Sequence, residues 1–143
     1  MASILVLTAL YPDNATIQRT EQTFAIHNFV KYWNTDSVIV FRPRKVRLKK
    51  IKDWGRIDES RIDGITVVTV PLFVLPLINA LHIRPTIRLI RSYLRKKRFR
   101  PDIVISHYDS SHILAEWLHN KLGIPHVATI HNSDINTLKA HTP

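Results

Sequence analysis

The chain has no cysteine among its 143 residues, so neither a disulfide framework nor a thiolate metal site can be built from it. That is compatible with a reducing cytoplasm. Glycine is nearly as scarce: Gly55, Gly64 and Gly123 are the only three, and none follows the first apolar run. The G-x-G-x-x-G dinucleotide fingerprint and the P-loop both need glycine where backbone closes on phosphate. Their absence argues against a nucleotide-cofactor dehydrogenase and a P-loop NTPase. Long hydrophobic runs are missing too. Val67 to Leu81 is broken by Pro71 and Pro76, and no run reaches the length needed to cross a bilayer. The opening Met1 to Leu7 lacks the positive n-region of a signal peptide and runs into a polar loop rather than a cleavage site. Acidic residues are the last shortage. Eleven Asp and Glu stand against 21 Lys and Arg, a formal net charge of +10 that points toward an anionic partner.

What is present is an ordinary globular composition, 45% apolar, in a length that suits one domain. Ser3 to Leu7 is a continuous apolar run, the first strand of a parallel sheet. Thr8 to Thr20 is a polar loop. Glu21 to Trp33 carries Phe24, Ile26, Phe29, Val30 and Trp33 at near-helical spacing. Ser37 to Phe41 is a second strand, and Ile65 to Val70, after a turn at Gly64, is a third that Pro71 stops. Phe73 to Ile83 is apolar but interrupted by proline, and reads as an irregular or short helical lead-in. Pro85 suits the first turn of a helix whose Ile83, Ile87, Ile90 and Leu94 share one face. Asp102 to Ser106 is a fourth strand. Ser110 to Leu122 is a helix with Leu114, Leu118 and Leu122 on one face, ended by Gly123 and Pro125. His126 to Ile130 is a fifth strand, read as buried. This alternation predicts an α/β domain with a mostly parallel sheet. The first strand is expected at its centre with the fourth beside it. Ligands in such a sheet bind outside the strands' carboxyl ends, where the strand order reverses.

Two polar quartets occupy those ends: Ser106-His107-Tyr108-Asp109 and His131-Asn132-Ser133-Asp134. His107 and His131 thus face one crevice, with a structural hydrogen-bonding role as the alternative for both. His112, His119 and His126 read as surface residues. The histidine spacing matches no zinc pattern, so no metal is expected. Nothing fixes the separation of Asp109 and Asp134, and Ser110 and Ser111 lack a G-x-S-x-G elbow. No complete catalytic apparatus emerges.

The cations fall in two segments. Arg42 to Arg56 holds Arg42, Arg44, Lys45, Arg47, Lys49, Lys50, Lys52 and Arg56 against the single acid Asp53. On the later helix, Arg84, Arg88, Arg91, Arg95 and Arg98 form a stripe beside the apolar face. Three readings stand: a solvated face, a nucleic-acid surface, or contact with an anionic membrane. Few aromatics interleave with the charges and no RNP or helix-turn-helix pattern appears, which disfavours nucleic acid. An apolar flank beside a cationic stripe suits a helix lying on an anionic leaflet.

Several stretches carry a family resemblance. Ile4 to Pro12 is similar to an opening strand and Tyr-Pro loop. Arg100-Pro101-Asp102-Ile103-Val104-Ile105-Ser106-His107 is similar to an R-P-D-I-I-H-A-H strand. Leu122-Gly123-Ile124-Pro125-His126-Val127-Ala128-Thr129-Ile130-His131-Asn132-Ser133-Asp134 is similar to an L-G-I-P-x-V-x-T-x-H-G-S-D segment. Asp63-Gly64-Ile65-Thr66-Val67 matches a D-G-I-x-V approach to the third strand. The chain thereby resembles the N-terminal domain of the retaining glycosyltransferases of family 4, which have the two-domain GT-B fold. Two departures stand out: Gln18-Arg19-Thr20-Glu21 replaces the first-loop glycines, and Asn132 replaces the H-G-S-D glycine.

The resemblance implies a Rossmann-like three-layer domain, the acceptor-side half of the enzyme. It also implies that residues 1–143 lack the donor-binding half and are inactive alone. Donor and acceptor would be a nucleotide sugar and a glycan or lipid-linked acceptor in cell-surface polysaccharide synthesis, with no resident cofactor. His131 would line the donor-sugar pocket, with His107, Thr8, Tyr11, Arg19 and Asp134 along the cleft. The expected location is cytoplasmic, peripheral on the inner face of the membrane. A basic α/β module that binds membrane or nucleic acid without catalysis is the alternative.

Overall fold

The centre of the molecule is β1 (Ile4–Thr8), whose Leu5, Val6 and Leu7 are wholly buried. A strand covered on both faces has no use for alternation, and every position up to Leu7 is therefore apolar. The structure, a computed structural model, describes residues 2–12, 21–47, 55–75 and 80–130. In chain order β1 is followed by α1 (Glu21–Val30), β2 (Val38–Arg47), β3 (Asp58–Ile62), β4 (Ile65–Leu75) and β5 (Ala80–His82). Then come α2 (Ile83–Lys96), β6 (Ile103–His107), α3 (Asp109–Leu122) and β7 (His126–Thr129).

The described strands form one sheet in the order β3-β4-β2-β1-β6-β7, with β5 pairing β4 off that path. All neighbours among β4, β2, β1, β6 and β7 are parallel; β3 and β5 lie antiparallel to β4. The chain leaves β1 toward β2 and returns on its other side as β6. Right-handed crossovers then put α1 on one face and α3 on the other. Leu5, Leu7, Phe41, Val68 and Val70 meet α2 and α3 on one face. Val6, Val40 and Val67 meet Ile26 and Val30 of α1 on the opposite face. This is a three-layer α/β domain, with the expected central first strand and fourth-strand neighbour. Each fully buried Leu, Ile or Phe contributes about 1.5–3 kcal/mol.

Several elements differ from the sequence expectation. The second strand continues past Phe41 to Arg47, because nine residues from Ile39 pair with β4. The third runs through Pro71 to Leu75 rather than stopping there. Neither internal proline breaks the ladder. Pro71 falls in the gap between the last β3 pair, Asp58 with Thr69, and the first β5 pair, Phe73 with His82. Pro43 lies beyond the end of β1, whose last partner is Phe41. In each case the missing N–H lies on a side where no strand asks for it. Phe73–Leu75 is therefore strand and not a helical lead-in, and Ala80–His82 folds back on it.

The polar edge strand β3 escaped prediction entirely. Asp63 (φ 49°) and Gly64 (φ 82°) join it to β4, both in the left-handed region that a tight hairpin turn demands. The helix expected over Glu21–Trp33 ends at Val30. At the far edge β7 is less buried than expected: Val127 is 50% and Ile130 65% exposed.

Candidate active site

The strands' carboxyl ends bring three residues into one row. Thr8 of β1 pairs in register with His107 of β6, and His107 with Thr129 of β7. Registered neighbours in a sheet point to the same side, so these side chains share the α1 face at the sheet's rim. Thr8 and His107 are buried, and the reversal of strand order falls between them. Thr129 was not singled out in the sequence; its register with His107 is visible only once β6 and β7 are paired.

The loop after β1 is held from three directions. The Leu10 N–H donates to Thr8 Oγ1 at 3.2 Å. Arg42 Nη1 donates to the carbonyls of Tyr11 (3.3 Å) and Pro12 (3.4 Å), while its Nε and Nη2 both reach Thr69 Oγ1 on β4. Tyr11 Oη lies 2.9 Å from His27 Nδ1, and His27 Nε2 lies 2.9 Å from Asp63 Oδ2. With Asp63 accepting from Nε2, Nδ1 is left to accept the Tyr11 hydroxyl proton. Burial, and secondarily the Asp63 charge, push the Tyr11 phenol well above its ordinary range, so it stays a donor. Tyr11 is 2% exposed: its ring is packed beneath the loop, and its backbone is what borders the crevice.

Behind the row, β6 and α3 are joined by a second polar cluster. Ser106 Oγ lies 2.6 Å from His112 Nδ1 and 2.7 Å from His126 Nε2. One hydroxyl hydrogen cannot serve both, so Ser106 donates to one ring and accepts from the other. Burial, then the neighbouring His112 and His119, lower the proton affinity of His126. His112 and His126 are thus half-buried members of a network, contrary to the surface reading; His119 is exposed, bonded through Nδ1 to the Ile124 carbonyl at 2.9 Å.

The turn from β6 into α3 is strained. Tyr108, directly after His107, has φ 71° and ψ 152°, a region that glycine alone occupies readily and that costs another residue about 1–3 kcal/mol. It also brings the amino end of α3, with its positive dipole, against the row. The Ser111 hydroxyl there is fully buried with no hydrogen-bond partner among the described residues.

A strained strand-to-helix turn and a histidine-bearing rim at a sheet's switch point describe a ligand crevice without naming its chemistry. The name comes from comparison. The model of Glycosyltransferase Family 4 matches residues 25–142, well over half the chain. The chain belongs to glycosyltransferase family 4. No curated protein matches it significantly.

Of the cleft residues that the family resemblance nominated, Thr8 and His107 meet in register, and Tyr11 supports the loop from beneath. His131, Arg19 and Asp134 lie outside the described residues, as do Lys49, Lys50 and Lys52 of the first basic segment. Arg42, read as part of that segment, is instead the clamp on the Tyr11-Pro12 loop. Arg84, Arg88, Arg91, Arg95 and Arg98 are exposed, on the layer formed by α2 and α3. Among the described residues, no group of three or more His, Asp or Glu is placed to hold a metal ion. No helix among them is long and apolar enough to cross a membrane.

Proposed function

We propose that this domain is the acceptor-side wall of a nucleotide-sugar-dependent, retaining glycosyltransferase. The observation that carries the reading is the Thr8–His107–Thr129 row at the switch point, in a family 4 domain. In the proposed reaction the bond from the sugar's anomeric carbon to the nucleotide diphosphate breaks. A bond to an acceptor hydroxyl forms on the same face, and the hydroxyl proton departs. His107 and Thr129 offer hydrogen bonds to sugar or acceptor hydroxyls. The amino end of α3 offers a positive dipole to negative charge. The clamped Tyr11-Pro12 loop supplies a fixed backbone rim, so little reorganisation is needed when substrate arrives. The family resemblance assigns the donor-sugar pocket to His131, outside the described residues.

In this reading a second, nucleotide-binding domain completes the site, no resident cofactor takes part, and the acceptor is a glycan or lipid-linked glycan of the cell surface. The test is sugar transfer by the protein made from its complete coding sequence, against a panel of nucleotide sugars and a lipid extract. His107→Ala should lower kcat/KM by about 100-fold, the effect expected for a positioned polar group. Because His107 is buried, it should also cost about 1–3 kcal/mol of stability, so activity is compared at a temperature where both proteins are folded. Residues 1–143 alone should transfer nothing. Transfer by that fragment would defeat the half-site reading, and undiminished transfer by His107→Ala would remove the row from the active site.

A further inference from the structure

Between Asp63 and Asp102 the chain has no acidic residue and eight Lys and Arg. The fold collects most of them on one flank of α2. At 100° per residue Arg84, Arg88, Arg91 and Arg95 fall in one row, on the side facing α3. Several cations elsewhere are engaged: Lys97 with Glu59 at 3.0 Å, Arg56 with Asp58 at 3.0 Å, Arg42 with Thr69. Among the described residues, no carboxylate pairs with the α2 row, with Arg98 or with Arg100.

The lower half of this row edges a groove of about 990 Å³ between α2, α3 and the Arg98–Pro101 turn. Arg88, Arg91, Arg95, Arg98 and Arg100 form its rim. Its floor is aliphatic and aromatic: Leu94, Phe99, Leu122 and Ile124. Leu122, expected in the core with Leu114 and Leu118, is instead 39% exposed, because it projects beyond the sheet into this groove. The turn itself is costly to hold. Phe99 N–H bonds the Leu94 carbonyl (2.9 Å) and Arg98 N–H the Arg95 carbonyl (3.1 Å), the Schellman pattern that normally has glycine in the left-handed position. Here that position is Arg98, at φ 54°, and its side chain lines the groove.

Guanidinium groups around an apolar floor fit an anion with a hydrocarbon body. A free phosphate would leave the floor wet. Nucleic acid would want exposed aromatic faces for stacking, whereas Tyr93 is buried with its hydroxyl bonded to Glu59, and Phe99 is half-buried. We infer that this groove seats an anionic phospholipid and, with the row on α2, docks the domain on a negatively charged membrane surface. Headgroup phosphates lie among the arginine forks, which match phosphate oxygens in pairs, and the upper acyl chain covers Leu122 and Ile124. The site is apart from the crevice. Thr86 bonds Pro71 and Tyr93 bonds Glu59, itself paired with Val68, so α2 runs antiparallel to β4. The arginines therefore extend from the crevice end of the sheet to its opposite end, about 20 Å away.

Vesicle sedimentation tests this without any transferase readout, so its failure is separable from failure of the catalytic reading. The chain should sediment with vesicles of phosphatidylcholine and phosphatidylglycerol in equal parts, and stay in solution with phosphatidylcholine alone. R88Q/R91Q/R95Q, which keeps good helix formers on α2, should weaken partitioning on the order of 100-fold, each arginine near the surface contributing about five-fold. Arg44→Gln with Lys45→Gln, exposed on β2, should leave it unchanged. Leu122→Ser should weaken it several-fold with all charges intact. Equal binding to both vesicle types, or an unaffected triple variant, would overturn the proposal. So would an unaffected Leu122→Ser together with retention of an RNA oligonucleotide, since that pattern belongs to a polyanion site.

Discussion

Ser106 shows how one hydroxyl sets the hydrogen-bonding roles of two rings. Because it can donate only once, His112 and His126 must take unlike roles: one ring accepts the hydroxyl proton at a bare nitrogen, and the other donates an N–H to the oxygen. Burial already lowers the proton affinity of His126. A folded-state value below the unfolded one means that the unfolded chain binds more protons at mildly acid pH. The stabilising contribution is then complete above about pH 6.5 and is lost as pH falls below it. Thermal denaturation from pH 7.5 to pH 5 should show a declining Tm in the wild type and a shallower decline in His126→Gln. Ser106→Ala, which deprives both rings of a partner, should cost about 1–3 kcal/mol at neutral pH.

Residues of this kind mark where sequence reading stops. Ser106, His112 and His126 are 6 and 14 positions apart in turn, a spacing that means nothing until β6, α3 and β7 are packed together. Arg42 is harder still. It stands at the head of a cationic run and reads as one more solvated charge, yet its guanidinium joins β2, β4 and the first loop.

At the level of elements, legibility followed burial. β1 and β6 have apolar runs, and α2 and α3 have apolar faces at helical spacing, so all four appeared at nearly their true positions; β4 appeared from its true start but ended five residues short, at Pro71. β3 is Asp-Glu-Ser-Arg-Ile, an edge strand defined by its partner and the turn at Asp63-Gly64, with no hydrophobic pattern of its own. β5 is three residues long, below anything periodicity can register. The ends of α2 and α3 are where packing and chemistry part company. Arg98 occupies a left-handed position that glycine would hold without strain, so Arg98→Gly should stabilise the domain by about 1 kcal/mol in urea denaturation. The same variant should bind anionic vesicles less well. A loss of stability would show that packing holds the arginine there, and undiminished vesicle binding would show that its charge is not used.

Viewed whole, the molecule has two working ends: the rim at the strands' carboxyl termini and the arginine groove at their amino termini. Both depend on β6 docking against β1, since β6 carries His107 at one end and follows Arg100-Pro101 at the other. That union is closed by Asp102, whose N–H donates to the Ser3 carbonyl at 2.8 Å and whose carboxylate accepts the Ser3 N–H at 2.7 Å across 99 positions. Pairings so distant carry a loop-closure cost and form late. Stopped-flow measurements should therefore separate the two halves of the sheet. Val40→Ala, between β1 and β4, should slow folding. Val104→Ala on β6, although it should cost about 2–3 kcal/mol at equilibrium, should act mainly by speeding unfolding.

The placement of β1 has a consequence for the protein's birth. Its strand leaves the ribosome ahead of β2, which it pairs soon afterwards, but its other edge waits for β6. At about 5–20 residues per second, the interval is on the order of 5–20 s. Throughout it, Leu5, Val6 and Leu7 present an open, wholly apolar strand edge, the feature that recruits foreign strands most readily. Chaperone dependence and low soluble yield on rapid overexpression are the expected outcome of the same central position that later makes β1 the spine of the crevice.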